Sequence, residues 1–432
     1  MRRFYAAAGA ALFSLTLGVA PQASAATLTH QPSVLTVDST ASPQHGKKEQ
    51  RSEKESLRVA TVNAGLSEDE EGALAERLEG GQDEAAQMLA RNIQTTRPDV
   101  LLITDIDTST HVADIFKDQY LAEAQTDGEA GSKDLSPLDY RYVYAASTNA
   151  GVQSGADLNG NGSTGDAGDA FGVGHFEGQR SMILYSRYPI KQDEVRTFNN
   201  LIWSELPGNS LDTEKYSKLV RSVLPLNSTS LWDVPLDVDG ETVHVVATGL
   251  TPDQGEGADA DRRLDQLRFL NMYLSDSDEL RDLTDDAGAY GGLEKDANAV
   301  VLGALGPDVE SLDENAEQKR KDAAEELETF LDSDELDVAK PSSAGAQCED
   351  DASLQIRTIL DFVCATQYAT RIGGGTSRSD YVAAANGSTI SESGIEAAMS
   401  RAVAEKSSAG TSSAASAGAR RIVWADVTLK RD

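Results

Sequence analysis

The stretch Asp157-Leu158-Asn159-Gly160-Asn161-Gly162 carries oxygen-bearing side chains at alternate positions and glycines where a chain can turn sharply, and Asp166 and Asp169 follow closely. Carboxylate and amide oxygens at that spacing suit Ca²⁺, a hard cation that takes only oxygen ligands. A calcium loop of the EF-hand kind would end on a bidentate Glu, and here that position is Gly168. Asp157, Asn159, Asn161 and Asp169 are therefore calcium-ligand candidates, and a plain Gly/Asn turn fits the same residues. Cys348 and Cys364 are the only cysteines. Without a third Cys or a nearby His they do not read as a metal site. In an oxidising compartment the pair reads as one disulfide, whose closure would stabilise by roughly 3 kcal/mol.

The chain start bears on that compartment. Arg2 and Arg3 precede an apolar run through Leu12, Phe13, Leu15, Leu17 and Val19 that ends in Ala23-Ser24-Ala25. This predicts a secretory signal peptide over residues 1–25, and hence a secreted or extracellular protein. The run is too short to cross a bilayer, and no later stretch is long enough, so no membrane span is expected. Residues 26–55 are polar, carry Pro32 and Pro43, and predict a disordered leader. With 38 Lys and Arg against 71 Asp and Glu, the formal charge is −33. That disfavours nucleic acid as a partner unless a metal bridges, and it leaves the ligand or surface partner unknown.

Buried-type strands are predicted at Leu57–Val62, Val100–Ile103, Tyr140–Tyr144, Met182–Tyr185, Val243–Ala247, Ala299–Leu302, Tyr381–Val382 and Ile422–Val427. One-faced helical spacing appears at Ala85, Leu89 and Ile93, at Leu264, Leu267, Leu270 and Leu274, and at Ala323, Leu327 and Phe330. The alternation predicts one α/β domain over residues 56–432, interrupted by a Ser/Ala/Gly-rich loop at 406–419.

Five segments, in order, resemble the endonuclease/exonuclease/phosphatase superfamily, in particular its secreted bacterial branch. They are the run from Leu57 to Asn63, that from Arg97 to Asp107, the pair Gly168–Gly172 and Ser186–Pro189, the segment Trp232–Pro235, and the closing Val423–Val427. The resemblance implies a two-sheet β-sandwich flanked by helices in four layers. It also implies a site at the strand ends where Mg²⁺ and two His/Asp pairs hydrolyse a phosphoester. On that pattern Asn63 and Asp105 match metal-site positions, with Asp105 in place of a Glu and its carboxylate drawn back by roughly 1.5 Å. Asp380 matches an Asp that orients a histidine. Gly249 stands where the family has a His, Ala304 and Gly306 where it has Asp and Asn, and Ala419 and Arg420 where it has Asp and His.

The histidines test this without any alignment. They are His30, His45, His111, His175 and His244, and none follows His244, which is expected to be an ordinary strand residue. Losing one general acid or base costs roughly 10² to 10⁴ in rate, and three parts of the machinery are missing. The sequence therefore predicts a catalytically degenerate member that acts in binding or at the cell surface, holding Mg²⁺ weakly if at all. Two rivals stay open. One is an active metal-dependent phosphoester hydrolase with a rearranged site, using Asp253 or Asp308; the other is a calcium-responsive acidic surface protein.

Overall fold

Strands that bury both faces demand cover on both sides, and that requirement sets the layers of this chain. A computed structural model describes residues 56–108, 111–126, 134–253, 255, 258–309, 312, 314–340, 378–396 and 421–430. Residues 1–55, Cys348 and Cys364, the 406–419 stretch, Ala419 and Arg420 lie outside the described residues.

One six-stranded sheet holds β1 (Leu57–Leu66), β2 (Val100–Ile106), β3 (Tyr142–Tyr144), β4 (Ser181–Ser186), β11 (Thr389–Glu396) and β12 (Ile422–Thr428), in the order β11-β12-β1-β2-β4-β3. The other holds β5 (Arg196–Thr197), β6 (Leu231–Val238), β7 (Glu241–Gly249), β8 (Asn298–Ala304), β9 (Leu336–Val338) and β10 (Asp380–Ala385), in the order β5-β6-β7-β8-β10-β9. Each sheet is mixed: β1 runs parallel to β2 and β7 parallel to β8, while the other pairs are antiparallel.

Alternate residues of each strand feed different layers. Val59, Leu102 and Leu184 meet Val245, Leu302 and Val382 in the apolar layer between the sheets. On the outer face of the first sheet, Val62, Ile103 and Ile183 pack with Leu89 and Ile93 of α2 (Glu84–Thr96). On the outer face of the second, Val246, Val301 and Tyr381 pack with Leu267 and Leu270 of α5 (Ala260–Leu274) and Leu327 and Phe330 of α6 (Gln318–Leu331). The predicted helix–sheet–sheet–helix order is what the chain forms. Each such buried aliphatic side chain contributes roughly 1.5–3 kcal/mol, so these layers and not the loops hold the fold.

The helix ends follow local chemistry. Asp83 caps α2 by accepting from the Ala86 N–H at 2.9 Å, and the helix stops at Arg97, left-handed at φ 53°, just before Pro98. Asp259 caps α5 by accepting from the Arg262 N–H. Among the described residues no helix is long and apolar enough to cross a membrane.

Candidate functional site

Parallel strands end at the same edge of a sheet, and antiparallel neighbours begin there, so residues far apart in sequence meet at one rim. Asn63 lies near the end of β1, Asp105 near the end of β2, Gly249 at the end of β7 and Ala304 at the end of β8, while Asp380 opens β10 opposite Ala304. Asn63, Asp105, Gly249, Ala304, Gly306 and Ser379 all line one cleft of about 1120 Å³.

The first sheet is irregular at this rim. Pairing of β1 with β2 shifts between Asn63 and Leu66, and pairing of β2 with β4 shifts between Thr104 and Ile106. Asp105 is the residue left over on β2, with φ at 56°. A bulge of this kind re-aims a side chain out of the pleat, here toward the cleft. Two strand ends per sheet, a bulged carboxylate and an amide thus converge where the sequence resemblance placed a site. Two six-stranded sheets flanked by helices are the architecture that the sequence resemblance implies.

Solved structures of the same architecture are similar along most of the chain. An endonuclease/exonuclease/phosphatase protein from Beutenbergia cavernae is 14% identical, with 87% of this chain and 72% of that one covered and a TM-score of 0.45. A family protein from Leptotrichia buccalis is 11% identical, with 87% and 100% covered and a TM-score of 0.40. A sphingomyelinase C from Streptomyces griseocarneus is 17% identical, with 86% and 99% covered and a TM-score of 0.39. No protein-family model and no curated protein matches the chain.

Gly249, Ala304 and Gly306, where the sequence resemblance implies His, Asp and Asn, share a cleft with Asn63 and Asp105. No histidine lines the cleft among the described residues. His244 does not sit as a plain strand residue: its Nδ1 lies 2.8 Å from Asp233 Oδ1, and the Tyr273 hydroxyl donates to Asp233 Oδ2 at 2.6 Å. That network faces α5, and His244 is five residues, roughly 17 Å of strand, short of the cleft end of β7.

The vacated positions differ in how much room they leave. A Cβ added at Gly249 would meet Thr229 Oγ1 at 3.6 Å and Met182 Sδ at 3.8 Å, which is ordinary contact. At Gly306, with φ at 106°, it would meet Arg263 Cδ at 3.0 Å and Nε at 3.3 Å. The Arg263 side chain, 1% exposed, therefore occupies the space that a side chain at 306 would need. Its Nη2 lies 2.9 Å from Asp253 Oδ1, close but off the hydrogen-bonding direction, so charge more than hydrogen bonding compensates it. Arg320 also grips Asp253, with Nε 3.1 Å from Oδ1. Asp253 reaches the cleft, as the rearranged-site reading requires, but is held between two guanidinium groups. Asp308 does not line the cleft.

A second network stands at the rim. Lys215 Nζ lies 2.7 Å from Asp259 Oδ2, and the Tyr216 hydroxyl donates to the same oxygen at 2.8 Å. Burial pushes the Tyr216 hydroxyl up to about 12, helped by the Asp259 charge. Burial opposes charge on Lys215 and Asp259, but their hydrogen bond and attraction outweigh it, raising the Lys215 pKa and lowering that of Asp259. The depressed carboxyl stabilises the fold above its ordinary pKa, and that contribution disappears as pH falls through the lowered value. Asp259→Asn is therefore expected to cost about 1 kcal/mol at pH 7, discounted because Lys215 is well exposed. Thermal melts should show the loss at pH 7 and little difference from the native chain once the native carboxyl is protonated. Beside this network, Arg262 is fully buried, its pKa lowered to about 10 by burial, and it donates to the carbonyls of Leu226, Phe171 and Pro225. It ties the cleft loops together.

Mg²⁺ takes one or two carboxylates beside waters and substrate oxygens in near-octahedral array. Of the cleft carboxylates Asp105, Asp253 and Asp259, the last two are ion-paired, and Asp105 shares the cleft with the Asn63 and Asn159 amides. Among the described residues no group of three or more His, Cys, Asp or Glu could hold a metal. One carboxylate not seen in an ion pair is the low end of what Mg²⁺ takes, and Asp105 with Asn63 would hold it weakly. The calcium-type loop is closed by its own hydrogen bonds. Asp157 accepts from the N–H groups of Gly160, Asn161 and Gly162, and Asp169 from those of Leu158 and Gly165. The Asn159 and Asn161 amides donate to Asp166. As folded, this geometry is that of the Gly/Asn turn.

The sequence reading missed Arg180, Lys215, Tyr216 and Arg262 as cleft residues. Asp259 could have been found as Asp three residues before an arginine at a helix start, the spacing of a cap. Nothing local marked the others.

Proposed function

We propose that this chain is an exported protein of the endonuclease/exonuclease/phosphatase fold that binds a ligand through the strand-end cleft and does not hydrolyse phosphoesters. One observation carries the reading: Gly249, Ala304 and Gly306 lie in the same cleft as Asn63 and Asp105, and Arg263 fills the space beside Gly306. Water activation needs a base within hydrogen-bond reach of the nucleophile, and in-line displacement needs groups that neutralise the developing charge on both sides. Beside the ion-paired Asp253 and Asp259, the cleft offers one bulged carboxylate, two amides and several hydroxyls, which can hydrogen-bond a ligand but supply no such pair. The leader over residues 1–25 supports export, and N-terminal sequencing of protein recovered outside the cell should begin at or near Ala26.

The test is steady-state hydrolysis of phosphomonoesters and phosphodiesters with Mg²⁺ or Mn²⁺. Rates equal to the metal-only background are expected.

A further inference from the structure

Once the charges that the fold itself neutralises are set aside, one cation remains at the cleft wall among the described residues. Lys215 is held by Asp259, Asp253 lies between Arg263 and Arg320, and Arg262 is committed to three carbonyls. Arg180 is exposed, lines the cleft next to Ser181, and its guanidinium makes no hydrogen bond or ion pair with a described residue. Its backbone is left-handed, with φ at 54°. A long side chain takes that conformation rarely and at a cost, whereas glycine takes it freely. The conformation is imposed from outside. Asp107, only 1% exposed, accepts from the Arg180 N–H at 3.0 Å through one oxygen and from the Glu68 N–H at 2.9 Å through the other. Asp105, on the bulge of the same β2–β4 pair, is left-handed as well. Two oppositely charged residues in left-handed backbone, one on the β2 bulge and one just before β4, line the same cleft and point to a use for their side chains.

We propose that Arg180 anchors an oxyanion-bearing ligand in the cleft, its guanidinium supplying positive charge without a metal. This rests on the binding reading given above. A guanidinium presents paired N–H groups in the plane of two phosphate or carboxylate oxygens. Thr229 on the same wall adds a hydroxyl donor for a remaining oxygen. A cleft of about 1120 Å³ is far larger than a bare anion, so the oxyanion is one end of a larger ligand.

The test is calorimetric titration of the full chain in excess chelator with inorganic phosphate, 4-nitrophenyl phosphate and 4-nitrobenzoate. At least one probe is expected to bind, and the ratio between the aryl phosphate and the carboxylate shows which oxyanion is preferred. Arg180→Gln should weaken binding by at least about tenfold, and Arg180→Lys by less. Arg141→Gln, at an exposed pair with Asp139 outside the cleft, should change nothing. Arg180→Gly separates binding from folding: it should lose the probe while its melting temperature stays level or rises, since the backbone strain is relieved. Absence of binding by all three probes, binding only when Mg²⁺ is added, or unchanged affinity in Arg180→Gln would overturn the proposal. Turnover of 4-nitrophenyl phosphate with Arg180-dependent, chelator-resistant binding intact would instead overturn the non-hydrolytic reading and leave this one standing.

Discussion

Gly172→Ala is expected to destabilise the chain by at least about 3 kcal/mol and to disable the cleft. A Cβ there would lie 1.7 Å from the Ser228 carbonyl oxygen and 3.2 Å from the Ala150 Cα. Backbone, unlike the tip of a flexible side chain, cannot swing aside, so two cleft walls must separate. The same walls are tied by hydrogen bonds from the Gly172 N–H to the Asn149 carbonyl at 3.0 Å and from the Gly151 N–H to the Gly172 carbonyl at 2.8 Å. In a chain of this size the loss should appear as a fall of roughly 5 °C or more in melting temperature. Gly249→Ala is the matched comparison, since its Cβ has room beside Thr229 and Met182. It should melt within a degree or two of the native chain. Equal melting of the two variants would show that the close approach at Gly172 is not real.

Asp253→Ala is expected to cost about 3–5 kcal/mol, the range for breaking a buried ion pair from one side. It strands Arg263, which is 1% exposed, and removes the partner of Arg320. Arg263→Met should cost much less, because Asp253 keeps Arg320 and a methionine fills much of the space with no charge to desolvate. The asymmetry is the informative quantity, measured by denaturant unfolding of both variants. It also bears on history written into the cleft. Gly306→Asn should be tolerated poorly in the native background, where Arg263 crowds it and its φ is 106°, and better in combination with Arg263→Met. Similar stabilities for Asp253→Ala and Arg263→Met would mean that Arg263 is not electrostatically dependent on Asp253.

Strands buried on both faces were legible in the sequence because they leave continuous apolar runs, as in Val100–Ile103 and Ala299–Leu302. β6 was not read as a strand, for two physical reasons. Asp233 is buried within it only because His244 and Tyr273 bond to its carboxylate, and those partners are 11 and 40 residues away. Pro235 is tolerated because β5 pairs only as far as Asp233, and the short segment that follows along this edge uses the Pro235 carbonyl, which accepts from the Lys191 N–H. β11 escaped notice because it is an edge strand with Glu392, Ser391 and Ser393 along it and little burial until Ile395.

That Asn63, Asp105, Gly249, Ala304 and Gly306 share a cleft was legible from the order of the strand ends. The roles of Arg263 and Arg180 were not. The meaning of Arg263 lies in its contact with Asp253 and Gly306, and that of Arg180 in a φ value and a hydrogen bond that its N–H donates to Asp107. Neither leaves a local pattern.

The central claim is that the cleft binds without hydrolysing, and turnover by the purified native chain tests it most directly. Phosphomonoester and phosphodiester hydrolysis should be followed across Mg²⁺ and Mn²⁺ concentrations, beside the Asp105→Ala variant made and purified identically. The account predicts that both proteins stay at the rate of metal and buffer alone. Metal-dependent turnover by the native chain that disappears in Asp105→Ala would contradict it, because Asp105 would then be serving a working centre.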